Sequence, residues 1–86
     1  MLAGAERRWD EAERSFDMAL TTNRRYELPW DEAKTLLAWG TLDGMRARAA
    51  DRERSRQRFG AALEIFQRIG ASREIETAHA AFHASA

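Results

Sequence analysis

Apolar residues recur along this chain at helical spacing, and polar residues fill the positions between them. Trp9, Ala12, Phe16, Ala19 and Leu20 advance in steps of 3, 4, 3 and 1, which hold one face of a helix of 3.6 residues per turn. That stripe predicts a first helix over residues 5–23, with Glu6, Asp10, Glu13, Arg14 and Asp17 on its other faces. Thr21, Thr22 and Asn23 compete for backbone hydrogen bonds and are expected to end it. Residues 24–28 form the connector, and Pro29 disfavours helical geometry at Leu28, so a second helix begins there or just after. Its stripe is Ala33, Leu36, Leu37 and Gly40 over residues 30–42, with Trp30 one turn earlier and Trp39 on the flank. Asp31 and Glu32 meet the positive end of its dipole.

Asp43 and Gly44 predict the next break, and residues 45–50 read equally as loop or helix. Asp51 is a candidate N-cap. A third helix includes residues 55–69, with the stripe Ser55, Phe59, Ala62, Leu63 and Phe66, and Gly70 stops it. Ser72 caps a fourth helix, whose stripe is Ile75, Ala78 and Phe82. The expected core comprises Trp9, Ala12, Phe16, Ala19, Leu20, Leu36, Leu37, Gly40, Phe59, Ala62, Leu63, Phe66, Ile75, Ala78 and Phe82.

The pattern repeats at an offset of 43 residues. Ala12, Phe16, Ala19 and Leu20 fall in register with Ser55, Phe59, Ala62 and Leu63; Asp31 matches Glu74, and Trp39 matches Phe82. Repetition at this period is the mark of stacked helix pairs, whose role is commonly to present a surface. Composition agrees with helix: the sequence is 44% hydrophobic, rich in Ala and Leu, without Val, and interrupted by one Pro and five Gly. Eighty-six residues make one domain, 1–86.

Small, aromatic and small residues at Ala12, Phe16 and Ala19, and again at Ser55, Phe59 and Ala62, resemble the second helix of a tetratricopeptide repeat. Leu36, Trp39 and Gly40 resemble its first helix. The physical reason is close crossing: Ala or Ser lets two backbones approach while Phe fills the adjoining groove. The period exceeds the family's usual length of about 34 residues, with the excess near residues 45–54. The wording YELPWDEAKTLLAWGTL, with RFGAALEIFQRIGA after it, is similar to the helical-repeat arm of large LuxR-type ATPase transcriptional regulators. The resemblance spans residues 9–82. The periodicity predicts an all-α fold of four antiparallel helices, which the repeat pattern arranges as two tetratricopeptide-like hairpins, and the regulator resemblance implies a sensor or protein-contact role in transcription or signalling. No GxxxxGK[ST] phosphate loop occurs, so ATPase activity is not implied.

Charge narrows the functional classes. Fourteen basic and fourteen acidic side chains cancel, which does not suit bulk attraction to a nucleic-acid backbone. Arg46, Arg48, Arg52, Arg54, Arg56 and Arg58 form a local basic run and supply the alternative of a nucleic-acid-associated regulator, but their spacing scatters them around a helix. The absence of Cys excludes thiol chemistry and fits a reducing cytoplasm. No stretch reaches the roughly 18 apolar residues of a membrane span. The acidic pairs sit on solvated faces and no Ser has a His at motif spacing, so no enzyme chemistry, cofactor or catalytic residue is expected. Glu76, His79 and His83 share a face of the last helix; two His four apart offer a weak metal-binding alternative, short of the three ligands of a complete site. The expected function is therefore a non-catalytic protein-interaction module. Trp9, Trp30, Trp39 and Phe82 are the candidate interface residues, and the partner is another protein or a second copy meeting uncapped ends.

Overall fold

The computed structural model describes residues 2–46 and 48–84, with side chains from Arg7 onward. The described residues form four helices and no strand: α1 (Leu2–Arg25), α2 (Pro29–Arg46), α3 (Ala49–Ile69) and α4 (Ser72–Ala84). The fold is all-α. Successive helices run antiparallel. The C-terminal turn of α1 meets the start of α2 through Asn23–Thr35 and Arg24–Glu32, while Arg46 at the far end of α2 reaches back to Glu13. Ser55 and Arg58 of α3 then bond to Gly40 and Asp43 of α2, and Phe82 of α4 lies against Gly60 of α3.

Each helix packs chiefly on its neighbours in the chain, and the α2–α3 interface is the broadest. The molecule is a slab of 43 × 30 × 17 Å. Its radius of gyration is 13.2 Å, against about 12 Å for a compact chain of this length. The core runs through the middle of the slab: Leu20, Ala33, Leu36, Trp39, Ala62, Ile65, Phe66 and Ala78 are buried together, with Phe16, Leu37, Leu63 and Ile75 packed around them.

The turn after α1 and the turn after α3 share one geometry. α1 and α3 end in the same double hydrogen bond: Leu28 N–H donates to Asn23 and Glu27 N–H to Arg24, as Ala71 N–H donates to Phe66 and Gly70 N–H to Gln67. This is the Schellman arrangement, with one left-handed residue after the last turn. Gly70 occupies that position in α3 with φ of 73°, and Glu27 occupies it in α1 with φ of 52°. The next helix is entered identically too, since Glu32 N–H donates to Leu28 and Ile75 N–H to Ala71.

Several expectations are corrected. α1 runs past Thr21, Thr22 and Asn23 to Arg25, because Asn23 turns its amide to Thr35 of α2 instead of breaking its own helix. Asp43 and Gly44 do not end α2. The Asp43 side chain is fully buried and paired with Arg58, so α3 holds the extra turn in place. Of the open segment 45–50, Met45 and Arg46 belong to α2, and Ala49 and Ala50 to α3; Ala47 lies outside the described residues. Arg48 is the N-cap residue of α3, without a side-chain cap bond, and Asp51 sits inside the first turn. There its carboxylate is buried between Arg48 and Arg54, at 3.8 and 3.6 Å. Ser72 is already the first residue of α4. Ala19, expected in the core, is exposed, since no described helix covers that side of α1, whereas its counterpart Ala62 on α3 is 0% exposed. Ile65 is buried without belonging to the predicted stripe. α3 is covered by α2 on one side and α4 on the other, so its apolar surface is wider than a single face.

Candidate protein-interaction surfaces

The crossing of α2 and α3 is held by two contacts. Ser55 Oγ donates to the Gly40 carbonyl at 2.7 Å, and the Phe59 ring lies so close that a methyl group on Gly40 would meet it at 2.8 Å. One turn on, Arg58 pairs with Asp43 and spreads its guanidinium over Trp39, 3.8 Å from the ring centroid. Burial holds the Arg58 pKa below its usual value, and the charge of Glu13 offsets only part of that. Trp39 also stacks on Phe16, with centroids 5.9 Å apart and planes 19° from parallel. This cluster locks α1, α2 and α3 into one body.

The four sequence-predicted interface residues lie in different surroundings, yet each carries a cation over its ring: Arg46 on Trp9, Lys34 on Trp30, Arg58 on Trp39 and Arg56 on Phe82. Trp39 is only 8% exposed and works in the core. Trp9 and Phe82 are half-buried between neighbouring helices. Trp30 alone of the four is open, at 44% exposed. The antiparallel order brings it to the same end of the slab as Tyr26, Leu28 and Ile69, which are also exposed. The arginine run is largely spent on internal partners: Arg46, Arg56 and Arg58 on rings, Arg48 and Arg54 on Asp51. No aromatic residue lies within the run itself, and each ring comes from the helix adjacent in the chain.

A second surface was not foreseen. The C-terminal halves of α2 and α4 stand on either side of the first half of α3 and leave an open groove of 540 Å³. Phe59, Ala81 and Ala84 give it apolar walls, Gly44 and Thr41 keep one side low, and Arg52 lies at its edge. Met45, 70% exposed, also lines it. The signal for this groove was present as small residues, Gly44, Ala81 and Ala84, in two separate helices, but only the packing of those helices joins them.

Among the described residues no group of three His, Cys, Asp or Glu side chains is placed to hold a metal, and no helix is long and apolar enough to cross a membrane. No family model, curated protein or solved structure matches the chain.

Proposed function

We propose that this chain is a non-catalytic protein-interaction module, a short tetratricopeptide-like array working in the cytoplasm within a bacterial transcriptional or signalling regulator. The observation that carries the reading is the groove between α2 and α4. It is open, largely apolar and rimmed by a flexible methionine, a combination suited to accepting apolar side chains of varied shape. The repeated helix ends at Glu27 and Gly70, and the close crossing at Gly40, support the array. The partner we assign is a short peptide segment with apolar anchors and an acidic flank, the latter facing Arg52.

Selection of a displayed random-peptide library on the full chain tests this. Selected peptides should lose at least about tenfold in affinity on Met45→Glu or Ala84→Arg, both at exposed positions, the tenfold corresponding to roughly 1.4 kcal/mol. Trp30→Ala should leave their binding unchanged. Peptides indifferent to both groove variants would remove the assignment. A second reading, self-association, rests on a different observation: Tyr26, Leu28, Trp30 and Ile69 are exposed at one end.

A further inference from the structure

On α4, His79 and His83 are one turn apart and both exposed, and their Nε2 atoms lie 3.1 Å from each other. The rings are tilted by 60° with centroids 4.3 Å apart, and the two Nε2 atoms stand within hydrogen-bond distance of each other. We infer that this pair is a two-imidazole chelate for a borderline divalent transition-metal ion: Zn, Ni or Cu(II).

The separation fits the ion. Metal–imidazole bonds of about 2.0–2.1 Å to two nitrogens 3.1 Å apart enclose an angle of roughly 95–102° at the metal. That lies between the octahedral right angle and the tetrahedral angle, so the spacing of the two nitrogens suits either geometry once an ion replaces the hydrogen bond between them. Imidazole is a ligand that Zn, Ni and Cu share. An i, i+4 pair on a formed helix is also preorganised. Once one ring binds, the other is already in place, and the second bond costs little further ordering.

The site is open. In the 43-residue register His79 and His83 stand where α2 has Leu36 and Gly40. On α2 those positions are buried, and Gly40 meets α3. On α4 the inward contacts are made by Ala78 and Phe82 instead, and the histidine face looks away from α3. No third ligating side chain joins them among the described residues, so water completes the coordination shell. Arg56 is engaged on the neighbouring Phe82 ring, and Phe82 meets His83 edge-on at 5.8 Å, which steadies the second imidazole.

The test is calorimetric titration of the untagged full chain with NiCl2, ZnCl2 and CuCl2. One ion per chain should bind, with Cu(II) tightest. His79→Ala and His83→Ala should each weaken Ni binding at least tenfold. The double variant Ala80→His with His83→Ala keeps two histidines but places them in adjacent positions; it should bind no better than either single variant. Circular dichroism at matched concentration checks that α4 stays folded in all of them. Wild-type binding equal to that of the adjacent-histidine variant would overturn the proposal, as would the absence of heat for Ni with the wild type.

Discussion

Glu27 adopts a backbone geometry that favours glycine. Its φ of 52° closes the same helix-end motif that Gly70 closes 43 residues later. A left-handed L-residue costs about 1–2 kcal/mol, and glycine recovers that against an unfolded-state entropy cost of about 0.5–1 kcal/mol. Glu27→Gly should therefore raise stability by about 0.5–1 kcal/mol, or a few degrees in Tm for a domain of this size. Gly70→Ala should do the opposite by about 1 kcal/mol. Its added methyl meets nothing within 4 Å, so the whole effect is conformational. Thermal melts of the two variants beside wild type measure both signs. The stop at Gly70 was legible because glycine advertises the left-handed position. Glu27 carries no such mark, and only the hydrogen bonds disclose the shared motif.

Between elements, the decisive contact is the α2–α3 crossing. Gly40 and Gly44 both lie within α2, where alanine gains about 1 kcal/mol in helix propensity. At Gly44 the nearest atom to an added methyl is Ser55 Oγ at 3.4 Å, so Gly44→Ala should keep most of that gain. At Gly40 the methyl would meet the buried Phe59 ring at 2.8 and 2.9 Å and the Ser55 carbonyl oxygen at 3.2 Å. Overpacking of this kind costs about 1–3 kcal/mol. Gly40→Ala should be net destabilising, and urea unfolding of the two variants should move their midpoints in opposite directions. Gly40 as a core position was readable from its place on the α2 stripe. The length of α2 was not, because Asp43 looks like a helix breaker until Arg58 of the next helix pairs with it. Ile65 was missed for a related reason: periodicity finds one face, while α3 is covered on two.

For the whole molecule, the slab shape leaves apolar residues uncovered where the connectors gather. Tyr26, Leu28, Trp30 and Ile69 come from two connectors and the turns beside them, and they share an end only because the helices alternate in direction. If a second copy covers this end, sedimentation equilibrium should show a concentration-dependent dimer, and Trp30→Ala should weaken it by at least tenfold without lowering the Tm. A chain that sediments as a monomer at millimolar concentration leaves that end free. The outer faces behave differently, with exposed Ser15, Ala19 and Thr22 on α1 and exposed Glu76, His79 and His83 on α4. The rings of Trp9 and Phe82, two of the candidate interface residues, are half-buried against adjacent helices.

The amino-acid pattern by itself determined the helical class, the number of helices and most of the buried set among the described residues, because helical periodicity and propensity are local properties summed over many residues. Tertiary structure alone decided which aromatic rings are covered, where the arginines find their partners, and that two helices leave a groove over a third. Those outcomes depend on how separate helices cross. Crossing is fixed by close contacts such as Gly40 with Ser55 and Phe59, whose two sides are never adjacent in the chain.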